Sequence, residues 1–450
     1  MESPFWYGEG NPPLDTRRSP MRPIRVLPLT LVVFGSALAH GAPDLIVGSI
    51  DGANHWGQVG DIHGYSFGVT YCNIGDTPAS VVDGTAEHPV LSMGMYSYDP
   101  STMRFTMIGI SHVEHQFAAL PGNVCGECTP SGNFQQLGIG CSTVTSAGLM
   151  GAQGDLGPRS EVDAYYSAFS YPFTGINQNG NAIFKRLQAR ESALSVPDAR
   201  FFFESIVVAN DDANAGNQNN NVSWRETTIN PVSFSAIPVG DTDRESAAIN
   251  AWKAIDPGVL ISERVIVNQG VVLVGSRAHD LGDGTYRYDY NVYNQNLSNG
   301  LDEFWVPLST APSEVFFSAV DHHSTIDENI DDSSWAFSAA NAKITWTPVE
   351  VANPALRNTI RWGTMHTFSF VTNAPPVLGQ VVFDGDNVLG SFVDAWVPET
   401  TSCAADLNGD TFVDFFDLSF LLSNRPDYNG DTMFDFFDLS SFLNDAQSCP

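Results

Sequence analysis

Between residues 44 and 172 apolar and polar positions alternate over short stretches. Residues 65–71, 90–98 and 104–110 are the clearest, and runs rich in Gly, Ser and Asn separate them. A period of two puts successive side chains on opposite faces of an extended chain, so each stretch predicts a β-strand bounded by turns. The pattern continues beyond Phe173. Strands are expected at 265–274, 285–293, 315–320, 343–348, 359–371 and 380–383, with Tyr286, Tyr288, Tyr290 and Val292 sharing one face. One helix is expected over 241–256. Asp241 or Thr242 caps it, Ala247, Ile249, Trp252 and Ile255 form its apolar stripe, and Asp256-Pro257-Gly258 stops it. The Asn-rich stretch 210–221 reads as a surface loop. The chain is thus expected to be mainly β, with two β-rich, sandwich-like regions at 43–172 and 173–398. A small helical module follows at 402–450.

At the start of the chain the pattern changes. Arg22 and Arg25 precede an apolar run over 26–38 that ends in Ala37-Leu38-Ala39. A positive flank, a short apolar stretch and small residues at −3 and −1 define a secretory signal peptide, here 1–39, with cleavage after Ala39. Residues 1–20 fit no such leader, so Met21 reads as the start and 1–20 as an extension. The run falls short of the roughly 20 residues of a membrane span. No membrane span is expected in the mature chain, which is read as secreted, extracellular or held at the cell surface.

Export changes the reading of the six cysteines, which are expected to be oxidised. Cys403 and Cys449 bracket the C-terminal module and are expected to pair. Cys72, Cys125, Cys128 and Cys141 can pair in three ways. They can alternatively form a four-cysteine zinc site, since Cys125-Gly-Glu-Cys128 has ligand spacing. The charge balance, Lys+Arg 20 against Asp+Glu 51 for a net of −31, repels phosphate backbones and anionic membranes. Nucleic acid is therefore excluded as a partner, and divalent cations are the natural counterions.

The acidic residues are ordered most strictly near the C-terminus. The stretch 406–417 recurs 21 residues later as 427–438, each a 12-residue loop with oxygen-bearing side chains at positions 1, 3, 5, 9 and 12. Calcium takes six to eight oxygen ligands. Asp406, Asn408, Asp410, Asp414 and Asp417 supply them in the first loop, with the carbonyl of Phe412 at position 7. Asp427, Asn429, Asp431, Asp435 and Asp438 supply them in the second, with the carbonyl of Met433. Two Ca²⁺ sites are expected. Thr411 and Thr432 occupy position 6, where glycine makes the sharp turn, and Asp replaces the bidentate Glu at position 12, so the sites are expected to be weaker than sensor EF-hands. Phe415, Leu418 and Leu422, and equally Phe436, Leu439 and Leu443, fall on one helical face and are expected to form the core of this tail. Phe416 and Phe437 are expected to be exposed.

The paired loops, each ending Asp-Phe-Phe-Asp, the preceding Cys403 and the final Cys449-Pro450 resemble the dockerin family, and in particular the GC-type dockerin tails of exported proteins from planctomycete-like bacteria. The resemblance covers roughly 48 residues. It implies two EF-hand-like calcium loops and docking to a cohesin-like or other surface receptor. Phe415-Phe416 and Phe436-Phe437 stand where cellulosomal dockerins carry small hydroxyl residues. Gly60-Asp-Ile-His-Gly-Tyr-Ser, Glu87-His-Pro-Val and Leu137-Gly-Ile-Gly-Cys141 also resemble uncharacterised exported bacterial proteins, which implies no activity.

Chemistry in the larger part is less ordered. His55, His63, His88, His112 and His115 can supply zinc or copper ligands, as can Asp321-His322-His323. His40, as a mature N-terminus, can chelate copper. Glu114, Glu127 and Glu161 are carboxylates near these features, and the tyrosine face at 286–290 can stack on sugars. No nucleophile elbow, phosphate loop or zincin helix is present. Three functions follow. The first is a calcium-binding, dockerin-tagged protein whose larger part binds or displays an extracellular ligand such as polysaccharide. The second is a carbohydrate-active hydrolase or lyase. The third is a histidine-ligated metalloenzyme. Whether the chain is an enzyme stays open.

Overall fold

The computed structural model describes residues 41–322, 329–400, 405–407 and 413–448. The expected signal peptide, His40, His323, the Cys403–Cys449 pair and loop positions Asn408, Asp410 and Phe412 lie outside these residues.

The chain is mainly β, arranged in several sheets. In the first sheet the hairpin of Leu45–Val59 and Ile62–Asn73 leads through Leu187–Arg190, Arg104–Ile110 and Gly94–Asp99 to Arg200–Val208. Gly60 turns the hairpin at φ 63°, a left-handed conformation that costs glycine nothing. The sheet continues past residue 172, because Arg200–Val208 pairs with Gly94–Asp99 on one side and Val222–Ile229 on the other. Three consecutive phenylalanines in that strand are explained by burial on both faces. Phe202 packs in one core, and Phe201 and Phe203 in another.

Two five-stranded antiparallel sheets follow. One orders Leu260–Ile266, Gly270–Asp280, Tyr286–Asn294, Thr364–Thr372 and Ser313–Ser318. The other orders Ala336–Ala340, Lys343–Thr347, Leu301–Pro307, Pro376–Gly385 and Val388–Pro398. Tyr288, Tyr290, Phe304, Trp346 and Phe368 fill the core between them, as expected of a sandwich. Tyr288 and Tyr290 are fully buried, with hydroxyls donating to the carbonyls of Ala374 and Trp396, so this tyrosine face is core and not a sugar platform.

Several expectations are corrected. The helix spans only Ile249–Ile255. Its expected first turn is pulled away because Asp243 and Trp224 exchange backbone hydrogen bonds, Glu245 takes φ 54°, and the Thr242 hydroxyl accepts from the amide of Ile50. The expected strand 265–274 is two strands, broken by a turn in which Asn268 and Gly270 take positive φ. The Asn-rich stretch contains a short helix, Asn210–Ala215, whose Asp212 is buried and accepts from the Leu45 amide at 2.7 Å. The four central cysteines form disulfides Cys72–Cys125 and Cys128–Cys141, which overturns the four-cysteine zinc site.

In the tail, helices span Phe415–Asn424 and Phe436–Ser448. Asp414 caps the first, accepting from the Phe416 amide at 2.7 Å, and Asp417 reaches back to the Asp414 amide. The packed face matches the expected one only at Leu418 and Leu439. Leu421 and Phe442 are buried with Ala405, and Leu418, Leu439, Val413 and Phe434 pack against them. Phe415 and Phe436 are each 73 % exposed, and Leu422 and Leu443 also face outward. The apolar stripe is shifted by about one residue because the phenylalanine pairs sit on the first turn, before the two helices meet.

Candidate functional site

The second acidic loop is described throughout. Asp427, at its first position, accepts from the amides of Gly430 and Asp431 through Oδ1 at 2.8 and 2.9 Å, and from Thr432 through Oδ2 at 2.7 Å. Asn429 and Asp431 each accept from the amide two residues on, at 2.9 Å. Asp435 accepts from the Phe437 amide at 2.7 Å, which caps the following helix. Asp438, at position 12, is buried. It accepts from Tyr428 at 2.7 Å and Asn429 at 3.1 Å through Oδ1, and from Asp435 at 2.7 Å through Oδ2. One carboxylate thus ties the start of the loop to its end. The hydrogen bond from the Asp435 amide, and after it those from Asn429 and Tyr428, hold the Asp438 carboxyl below the usual range.

Position 6 carries a further detail. Thr432 takes φ 76°, the left-handed turn that glycine makes in an EF-hand loop. A β-branched residue pays roughly 1–2 kcal/mol for that conformation. In the first loop Asp417 is likewise buried and accepts from the amides of Leu407 at 2.8 Å and Asp414 at 2.9 Å, the same pair of ties. The donor chemistry suits a hard cation: four carboxylates and one amide oxygen lie within twelve residues. Among the described residues, however, no group of three or more His, Cys, Asp or Glu side chains is gathered closely enough to hold an ion. The second loop's carboxylates are turned onto their own amides.

The histidines of the first region form pairs. His55 Nε2 lies 3.0 Å from His63 Nδ1, and His88 Nε2 lies 2.9 Å from His115 Nδ1. Strand register explains both: Leu45–Val59 lies against Ile62–Asn73, and Val90 lies opposite His115. Burial, then the neighbouring His88, pushes His115 down to about 3. These imidazoles stack on rings, His115 on Phe173 and His63 against Phe234, and the Glu191 carboxylate stands 3.6 Å from His63 Nε2. Among the described residues neither pair belongs to a group of three that could hold a metal ion. Glu114 is buried and hydrogen-bonded to Gln116, Glu161 accepts from the Thr174 amide, and Glu127 is exposed on a loop. No pair of them makes a common site.

A small recess of about 80 Å³ lies where the first sheet meets the sandwich, lined in part by His112, Arg159, His322, Arg361 and Trp362. No local pattern announces it, since its lining comes from strands and loops far apart in the chain. Arg159 acts as a strut there. It donates to the carbonyls of Ser111 and Met93 at 2.8 Å and stacks on Trp362.

No protein-family model matches the chain, and no curated protein matches it either. Among solved structures, a serine-rich repeat adhesion glycoprotein of Streptococcus agalactiae overlays with a TM-score of 0.22 and 10% identity, covering 79% of this chain and 98% of that one. A likeness at that level carries no argument about fold or function. Among the described residues no helix is long and apolar enough to cross a membrane.

Proposed function

We propose that this chain is an exported β-protein whose C-terminal repeat is a dockerin-like module binding two calcium ions. The repeat itself carries the reading, because ligand-type residues recur at matched positions in both loops. The left-handed Thr432 at position 6 and the matching ties of Asp417 and Asp438 to positions 2 and 9 support it. Asp406, Asn408, Asp410, Asp414, Asp417 and the Phe412 carbonyl hold one ion. Asp427, Asn429, Asp431, Asp435, Asp438 and the Met433 carbonyl hold the other. Calcium neutralises carboxylates that otherwise repel one another and draws each loop closed between its flanking segments.

The module docks to a cohesin-like or other surface receptor through Phe415, Phe416, Phe436 and Phe437. These rings are 64–73 % exposed in symmetric positions on the two helices. Covering each is worth about 1.5–3 kcal/mol. The larger part binds or displays an extracellular ligand such as polysaccharide, and the two disulfides fit that compartment. The test is calcium titration of the full chain followed by thermal unfolding. Calcium raises the melting temperature of the tail and chelator lowers it. The double replacement Asp406→Ala with Asp427→Ala abolishes the response; a response that survives it removes the calcium assignment.

A further inference from the structure

A second recess, of about 280 Å³, opens where the first sheet meets the segment that carries Asp321 and His322. Strand register sets its floor. Arg190 lies directly opposite Ile62, and Gln188, two residues earlier, lies between Gly64 and Ile110. Ile62, Gln188 and Arg190 therefore present to the same face of the sheet. Ile108 of the neighbouring strand borders them. One wall is the turn 181–184. The Asn181 side chain accepts from the amides of Ile183 at 3.2 Å and Phe184 at 3.1 Å, which fixes the turn. The turn rests directly on the sheet, since a Cβ at Gly64 would stand 2.5 Å from the Ala182 carbonyl oxygen.

The other wall is Asp321, His322 and Asp332. Asp332 accepts from the His322 amide at 2.7 Å, and its Oδ1 lies 3.1 Å from the ring Nδ1. Arg190 ties this wall to the floor: its Nε donates to Asp321 at 2.5 Å and its Nη1 to Asp61 at 3.1 Å. The polar groups around the recess are thus already oriented before any ligand arrives, which lowers the entropy cost of binding.

The lining narrows the class of ligand. Ile62, Ile108, Ile183 and Phe184 are apolar, while Asn181, Gln188, Arg190, Asp321 and Asp332 supply planar groups that include both donors and acceptors. An anion is repelled, because Arg190 is already paired with Asp61 and Asp321 and Asp332 adds a further acid. A cation meets carboxylates already engaged, two by Arg190 and one by His322, and among the described residues no three ligand side chains gather to hold a metal. A wholly apolar ligand would strip water from the polar groups without replacing their hydrogen bonds. A neutral polyol meets every requirement. Each hydroxyl both donates and accepts, so it can give a proton to a carboxylate and receive one from a guanidinium or amide, while the C–H face of the ring covers the apolar side chains. The volume stands near the lower edge of small-molecule sites, roughly 300–1,000 Å³, and takes one ring rather than several. On the reading that the larger part binds polysaccharide, we propose that this recess is where it does so, holding one neutral sugar unit with its ring face on Ile62 and Phe184 and its hydroxyls on Gln188, Arg190 and Asp321.

The experiment screens the full chain against neutral gluco-, galacto-, manno- and xylo-oligosaccharides and against uronate oligosaccharides. The strongest neutral ligand is then titrated by calorimetry at low salt, at high salt and in EDTA. The variants are Asp321→Ala, Phe184→Leu, which keeps apolar bulk and removes the ring, and the control Val232→Ala at a site 87 % exposed, each checked for an unchanged melting temperature. A neutral oligosaccharide should bind and the uronates should not, with salt and EDTA changing the affinity by less than about twofold. Asp321→Ala and Phe184→Leu should each weaken binding roughly tenfold, and Val232→Ala should not. Hydrogen exchange of 181–190 in the wild type should slow when the ligand is added. Binding that is indifferent to both recess variants, restricted to uronates or lost in EDTA overturns this site and leaves polysaccharide binding elsewhere on the chain. Binding to no oligosaccharide at all overturns the polysaccharide reading, and the site with it.

Discussion

Replacing Glu204 with leucine tests how the first sheet is joined to the sandwich. Glu204 lies in Arg200–Val208 and is fully enclosed. Its Oε1 accepts from the hydroxyls of Tyr96 at 2.7 Å and Tyr293 at 2.9 Å, and its Oε2 accepts from the Ala248 amide at 2.6 Å. Tyr96 belongs to the first sheet, Tyr293 to the sandwich, and Ala248 to the start of the Ile249–Ile255 helix. One carboxylate therefore joins three elements inside a shared core that includes Phe202, Trp252 and Met365. Burial holds its carboxyl above the usual range, and the three donors offset only part of that rise. Glu204→Leu strands three buried donors, each costing about 1–3 kcal/mol. The two hydroxyls can partly satisfy each other and leucine returns some apolar burial, so the expected loss is roughly 3–5 kcal/mol. Glu204→Gln keeps one acceptor oxygen and should lose about 1–3 kcal/mol. Urea unfolding followed by tryptophan fluorescence reads both, with an unchanged denaturant slope showing that the folded state stays compact. A Glu204→Leu variant within about 1 kcal/mol of wild type refutes the argument that this carboxylate holds the joint.

Two further predictions concern the larger part. Burial pushes the Asp212 carboxyl up to about 7. The native state then binds more protons than the unfolded chain between about pH 4 and 7, so stability falls as pH rises through that window, by up to about 4 kcal/mol. Asp212→Asn should flatten the dependence of melting temperature on pH relative to wild type; parallel curves contradict it. The Cys128–Cys141 link spans 13 residues and Cys72–Cys125 spans 53. Replacing either pair by serine should cost about 3–4 kcal/mol, the longer loop more, as read from urea midpoints.

The strands were legible where one face is buried and the other wet. Arg104–Ile110 was expected at those bounds, and residues 343–348 nearly so. Alternation was also enough to assign Tyr288 and Tyr290 to one face. Legibility failed where distant backbone intervenes. Nothing local in 241–248 announces that Asp243 bridges to Trp224, so a capped helix was expected and only its second half forms. The recess beside Arg159 and the Glu204 joint depend on strand register across tens to hundreds of residues, and the histidine pairs across 8 and 27. In the tail the spacing of acidic residues was explicit in the sequence. The packed helix face was not, since helical periodicity alone does not say where two short helices touch.

Amide hydrogen exchange over residues 405–448 of the full chain, in millimolar calcium and then in excess EDTA, tests the calcium account most directly. Protection of the Phe415–Asn424 and Phe436–Ser448 helices should rise sharply with the metal and vanish without it. Equal protection in both buffers contradicts a metal-closed tail.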